Sequence, residues 1–345
     1  MRDALLGRPF QERDWVVVGS TPEEMRRLGY RQVGRDFPVF LHPENGEEYA
    51  LARTERKTGP GHTGFVCHAG PDITLEDDLR RRDLTVNAMA KDAGGRLVDP
   101  FGGREDLAAR VLRHVSDAFI EDPLRVFRVA RFAAQLPAFA VAPETLDLMT
   151  RMSRQGALEE LSAERVWQEL HKALGAGAPE RFFEVLAEAS ALSPWLAELQ
   201  SVEIALPPEL TEPEHRFGAL AWRLPVPSVA ALATRLKAPA RFHHISEQVA
   251  RHGGTLAGWR KASAEAVLDA LTGIGAFRAE QDPEPALAVI EACAGCSLSE
   301  LRCLIDRLRA VGSRPFVDRG LTGRAIGDAI RSERLERIRA TRPAG

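Results

Sequence analysis

The hydrophobic pattern changes period partway along the chain. Up to about Val115, short β-branched runs alternate with brief amphipathic stretches, whereas nearly everything after it carries the spacing of helices. An α/β head followed by an all-α remainder is the organisation this predicts. In the head, Asp14-Trp15-Val16-Val17-Val18 reads as a strand closed by Gly19-Ser20. Thr21-Pro22-Glu23-Glu24 then supplies an N-cap, a proline at the first helical position and a capping-box glutamate, for a helix that stops at Gly29. Phe37 to Leu41 and Glu48 to Arg53 predict two more strands, followed by a mobile loop rich in glycine and threonine from Thr54 to Gly64. Thr74 to Arg81 predicts a short helix, and Leu84 to Lys91 with Arg96 to Val98 a hairpin turning at Asp92-Ala93-Gly94-Gly95. From Asp122 onward helices follow one another, with starts near Ser162, Pro179 and Ser297, proline breaks at Pro207-Pro208 and Pro225 to Pro227, and a final basic helix from Leu321 to Arg339.

Composition narrows the class without naming it. The chain has 345 residues, 44% hydrophobic and 28% charged, so it is long enough for two or three domains and has no disordered or collagen-like bias. A net charge of −3 sets 46 basic against 49 acidic side chains, so a nucleic-acid surface has to be a local patch. No apolar run approaches the ~20 residues of a membrane span, and the N-terminus lacks a leader-like apolar core, which points to the cytoplasm. Cys67, Cys293, Cys296 and Cys303 are too few for a disulfide framework. Cys293-Ala-Gly-Cys296 has metal-like spacing, but only Cys303 lies nearby and no histidine pair follows, so ordinary helix-packing thiols are the expectation.

Three segments carry candidate chemistry. Glu12 and Asp14 are two apart at the entry to the valine strand, which places both carboxylates on one face, within reach of a shared cation such as Mg²⁺. A solvated strand end is the alternative; Glu48, on a neighbouring strand, is either a third carboxylate or an exposed strand position. Arg80-Arg81-Arg82-Asp83, with Thr85 and Asn87, gathers guanidinium groups suited to a triphosphate, or else a solvated helix end with one ion pair. Glu121-Asp122-Pro123 opens a helix with Asp122 as N-cap, on which Arg125, Arg128 and Arg131 form one oblique stripe opposite Val126, Val129, Ala130, Ala133 and Ala134. One side is expected to pack and the other to be basic. An acid beside a guanidinium can also present an acceptor and donors to a base edge.

These segments resemble the bacterial class II tRNA nucleotidyltransferases, the CCA-adding enzymes, which share a head of the DNA polymerase β type. The likeness runs almost continuously from Arg2 to about Leu186 and rests on Arg13 through Gly19, Glu48 through Lys57, Arg81 through Asn87 and Glu121 through Phe132, all in family order. It implies an α+β fold with a mixed or antiparallel sheet in a nucleotidyltransferase head at 1–115. A helical neck at 116–190 and an all-helical tRNA-binding region at 191–345 would follow. By resemblance, Glu12 and Asp14 bind Mg²⁺ and are catalytic. Arg2 and Arg82 contact the nucleotide, Asp122 and Arg125 act as an amino-acid template for CTP or ATP, and Arg128 and Arg131 help hold the nucleotide. The implied reaction adds C, C and A to the 3′ end of tRNA with release of pyrophosphate, and no membrane takes part. The nearest rival is a bacterial poly(A) polymerase, and a different class of reading is a catalytically impaired RNA-binding homologue.

Three features depart from the family pattern. The leading strand and its Gly-Gly-x-Val-Arg-Asp turn are mostly absent before Met1-Arg2-Asp3, with Met1 where the family has valine, so a start upstream of Met1 is expected. In-frame codons for a strand ending in Gly-Gly should then precede Met1 in the DNA, and their absence would end that expectation. The stretch from His215 to Arg223 carries Trp222-Arg223 where many relatives have the His-Asp pair of a phosphohydrolase domain, and His243, His244 and His252 do not rebuild it. Glu12 stands where the family usually has aspartate, which moves the carboxylate oxygens by about one bond, ~1.5 Å. Glu12→Asp is therefore expected to keep or raise the rate of nucleotide addition; a large loss in a steady-state assay would show a site tuned to glutamate.

Overall fold

A computed structural model describes residues 1–10, 13–33, 39–57 and 65–341, with side chains left out of account at 55–57 and 65–67. Glu12, Phe37 and most of the expected mobile loop lie outside the described residues. The chain divides into two compact units, residues 1–197 and 198–345.

In the first unit, a short helix α1 (Arg2–Leu5) precedes β1 (Trp15–Val17), which the valine run forms as the pattern predicts. α2 (Pro22–Arg27), β2 (Arg31–Val33), β3 (Val39–Leu41) and β4 (Glu48–Leu51) follow. The four strands make one mixed sheet in the order β1-β4-β3-β2, with β1 parallel to β4 and the remaining pairs antiparallel. In this register Trp15 lies opposite Tyr49 and Val17 opposite Leu51, while Phe40 pairs with Tyr49. The period of two thus sends Val17, Tyr49, Leu51 and Phe40 to one face, where Met25 of α2 closes a core over Phe40 and Leu51.

The Thr21 hydroxyl accepts from the Glu24 N–H at 3.2 Å, as expected, but the Glu24 carboxylate accepts from the Ser20 hydroxyl at 3.0 Å. The full capping box lies at α3 (Leu75–Arg80), where Thr74 and Asp77 exchange bonds reciprocally. The expected loop from Thr54 begins too early: β5 (Arg53–Lys57) pairs antiparallel with β6 (Phe65–Ala69). Arg-Thr-Glu-Arg-Lys has no apolar period, so this strand is made by its backbone ladder and leaves no hydrophobic signature.

The expected hairpin is also shorter, with only β7 (Ala90–Lys91) and β8 (Leu97–Val98) pairing. Thr85–Asn87 forms a single 3₁₀ turn instead. Asp83 accepts from the Leu84 N–H at 2.8 Å and the Thr85 hydroxyl donates to Asp106 at 2.7 Å, and these bonds turn the chain before the strand begins.

After α4 (Gly103–Ala109), β9 (Val111–Leu112) pairs in parallel with β10 (Ala140–Val141). Between them runs α5 (Leu124–Gln135), which packs on α7 (Ala163–Leu174) and α8 (Glu180–Glu188), with α6 (Pro143–Arg154) preceding those two. Val126, Phe127, Val129, Ala130, Ala133 and Ala134 of α5 are fully buried.

The second unit is all helical. α9 (Pro213–Leu220), α10 (Val226–Arg235), α12 (Ala264–Gly273) and α13 (Glu284–Ala294) surround the long α11 (Ala240–Ala257). Close approach favours glycine at Gly253 and Gly273, among others: a Cβ at Gly253 would stand 2.5 Å from the Trp222 ring, and one at Gly273 would stand 2.1 Å from His252. Trp222 and His252 are thus packing residues of this bundle. Burial, and after it the charge of Glu209, pushes the Cys293 thiol up to about 11, so it stays protonated at the end of α13.

α14 (Ser299–Arg309), α15 (Arg314–Val317) and α16 (Arg324–Ala340) complete the unit. The basic residues of α16 are largely spoken for, with Arg331 on Asp269, Arg337 on Glu333 and Arg339 on Glu265. Among the described residues no helix is long and apolar enough to cross a membrane.

Candidate active site

Asp14 is exposed and stands one residue before β1, while Glu48 is exposed at the first position of β4. Because Trp15 faces Tyr49 in a parallel pair, Asp14 and Glu48 occupy neighbouring register positions at the same end of the two strands. Carboxylate oxygens at a strand end fit a hard divalent cation. Glu12 lies outside the described residues. Among the described residues no group of three or more His, Cys, Asp or Glu side chains is placed to hold a metal ion.

The basic side of α5 is not a solvent-facing stripe. Arg125 and Arg131 are buried, at 8% and 6% exposure, and Arg128 is half-buried, so α5 is enclosed on the basic side as well. Each guanidinium has a polar partner, which is what burial of a charge demands. Arg125 donates to the Ala118 carbonyl and the Arg81 carbonyl, both at 2.6 Å. Arg131 is held by the Glu169 carboxylate of α7 and by Gln135 at 2.9 Å. Arg128 donates from Nε at 2.7 Å and lies 2.6 Å from Oδ2 of Asp83 through Nη2. The sequence pattern places these residues on one arc of the helix but does not reveal that a second layer covers it.

Asp83 is the centre of the constellation. It is 5% exposed. Its Oδ1 accepts from Leu84 N–H at 2.8 Å and from the Asn87 amide at 3.1 Å, and Asn87 Oδ1 in turn accepts from Arg2 Nη1 at 2.9 Å. Arg2 therefore reaches from α1 into the same network as Arg128. Burial opposes the charge on Asp83, but the Arg128 guanidinium, the Asn87 amide and the Leu84 N–H outweigh it and hold the carboxyl below its ordinary range.

Arg82 donates from Nη2 to the almost fully buried Asp78 at 3.2 Å, and Arg81 shares that acid at 2.6 Å. The Nε–H of Arg82 is buried and meets no acceptor among the described residues, an uncommon state for a charged donor. Helix α5 starts one residue later than the sequence suggests, at Leu124. Pro123 therefore takes the N-cap position expected for Asp122, whose Oδ1 still accepts from the Leu124 N–H at 3.1 Å. The other carboxylate oxygen accepts from Arg165 of α7 at 2.8 Å. Asp122 and Arg125 thus share a helix start, each fixed by its own partners.

Residues 1–113 match the Poly A polymerase head domain, and residues 138–202 match the probable RNA and SrmB-binding site of polymerase A. The Multifunctional CCA protein of Thioalkalivibrio sulfidiphilus (strain HL-EbGR7) is 45% identical over 98% of this chain and 96% of its own length. The CCA-adding enzyme of Pseudomonas putida (strain W619) is likewise 45% identical, over 99% and 96%. The chain belongs to the CCA-adding enzyme family. In fold it is similar to the crystal structure of the Bacillus stearothermophilus CCA-adding enzyme in complex with CTP, at a TM-score of 0.70 and 23% identity, covering 99% of this chain and 87% of that one. A CCA-adding enzyme in complex with ATP gives 0.67 at 20% identity, over 98% and 83%. A divalent metal ion accompanies the nucleotidyltransferase fold of this family.

The sequence pattern did not single out Asp78, Arg165 and Glu169 as parts of the site. Glu169 follows Arg165 by four on α7, a spacing that puts both on one face, but nothing local says that this face meets α5. Asp83→Asn removes the charge that Arg128 needs and is expected to cost about 3 kcal/mol at neutral pH. Since the folded carboxyl titrates below the unfolded one, the contribution is whole above the ordinary range of ~3.9 and is lost as pH falls through the lowered value. Urea unfolding of both proteins should give a wide stability gap at pH 7 that narrows on acidification; a gap independent of pH would contradict the assignment.

Proposed function

We propose that this chain extends the 3′ end of tRNA by C, C and A, using CTP and ATP, releasing pyrophosphate and requiring no nucleic-acid template. The observation that carries the reading at this site is the convergence of Arg2, through Asn87, and of Arg128 on Asp83, next in the chain to Arg82, whose Nε–H meets no acceptor among the described residues: guanidinium groups gathered in one network suit a triphosphate. Near-full-length identity to proteins named for CCA addition agrees with it.

In this reading Arg2, Arg82, Arg128 and Arg131 bind the nucleotide, and Asp122 and Arg125 read its base. Two of the lone-pair sites of Asp122 are taken by Leu124 and Arg165, which leaves others for the exocyclic amino group that cytosine and adenine share. The carbonyls of Ala118 and Arg81 fix the plane of the Arg125 guanidinium, so the orientation of the group is set before a base arrives. A base offering both an amino group and an adjacent ring acceptor satisfies the pair.

Asp14, with Glu12 beside it in the chain, would hold Mg²⁺; when bound, the ion screens the charge that builds on the phosphate oxygens. The tRNA 3′-hydroxyl attacks the α-phosphate in line, and the arginines retain the departing pyrophosphate. Residues 1–115 serve as head, 116–190 as neck and 191–345 as a tRNA platform that meets phosphates and shape more than sequence. The protein works in the cytoplasm, where its substrates are.

Purified protein should be given tRNAs ending before and within the CCA terminus, with Mg²⁺ and CTP or ATP separately. Addition of two C residues and then one A is the expected result. A long A tract points instead to a poly(A) polymerase, and binding without addition to an RNA-binding module. Asp14→Asn should lower the rate by at least about 100-fold while leaving tRNA affinity within about twofold.

A further inference from the structure

Three guanidinium groups converge on one aromatic ring. Arg131 lies 3.9 Å from the centroid of Phe132, Arg2 4.8 Å and Arg128 5.6 Å. Only part of this follows from helix geometry. Arg128 is four residues before Phe132, a spacing that brings side chains together. Arg131 is its immediate neighbour and would ordinarily point about 100° away around the helix. Arg2 belongs to a different element altogether. Each arginine has its own acceptors: Asp3 and Asn87 for Arg2, Asp83 for Arg128, Glu169 and Gln135 for Arg131. Those acceptors lie on several segments, and the ring is what the three cations have in common.

Phe132 is 6% exposed, and contacts between a cation and the negative face of an aromatic ring strengthen when water is removed. Like charges gathered at one place repel, so a shared aromatic ring lowers the cost of keeping them together before a polyanion arrives. We propose that Phe132 is a positioning residue for the nucleotide: its ring electrons hold Arg2, Arg128 and Arg131 as one preorganised cradle for a nucleoside triphosphate. This rests on the nucleotide-binding reading of the same arginines given above. The ring touches neither base nor phosphate itself.

A purely packing role makes a different prediction, because packing depends on shape and the cradle depends on ring charge. Phe132 should be replaced in the full-length protein by mono-, di- and trifluorophenylalanine, which keep the shape nearly constant while draining the π face. The KM for ATP and for CTP should rise with each fluorine, to about tenfold at three. kcat should stay within about threefold, and melting temperature and tRNA affinity should stay level. Phe132→Leu should raise the same KM values. Flat KM values across the fluorinated series overturn the proposal, whatever Phe132→Leu does. Should the unsubstituted protein bind neither nucleotide, the reading beneath fails as well, and that outcome is visible before any variant is made.

Discussion

The ion pair between the buried Asp83 and the half-buried Arg128 is the interaction on which the first unit is organised. A carboxylate this far from water needs partners on every side, and it takes them from three parts of the chain: the backbone that follows it, the Asn87 amide and helix α5. Through Asn87 the same acid is connected to Arg2 in α1. A second layer repeats the logic, with Glu169 and Arg165 of α7 engaging Arg131 and Asp122. Helix α5 is thus tied by charge to the head on one side and to the following helices on the other, while its alanines and valines supply close packing.

This arrangement changes what the arginines are. On an exposed stripe they would be flexible chains that lose rotamer freedom when a ligand binds. Enclosed and hydrogen-bonded, they have lost that freedom on folding, and the entropy is not charged again at binding. The two side chains at the start of α5, Asp122 and Arg125, are fixed in the same way: their carboxylate and guanidinium are each anchored by backbone or by a neighbouring charge, which is the rigidity the proposed base-reading role would need.

Much of this was legible in the sequence. The valine run, Thr21-Pro22, the helix after Asp122 and the shift of period near Val115 all carry local signals, and the structure follows them. The family resemblance added roles that spacing alone left open. What escaped has a common cause. β5 has no apolar alternation and exists because β6 lies beside it. The turn at Thr85–Asn87 depends on Asp106, and the burial of Arg125 and Arg131 depends on residues from α7 and the backbone of distant segments. These are properties of pairs far apart in the chain, and a one-dimensional pattern records only one member of each.

Helix α16 shows how little an arginine count says about an electric surface. Its cations lean on acids of α12 and of their own turn, and Arg334 lies over the Phe277 ring while donating to the Leu308 carbonyl. To grip a polynucleotide, each of these arginines would have to exchange its acid for a phosphate. The acid left behind would then stand against the incoming backbone, so much of the attraction a bare count of cations promises would be cancelled.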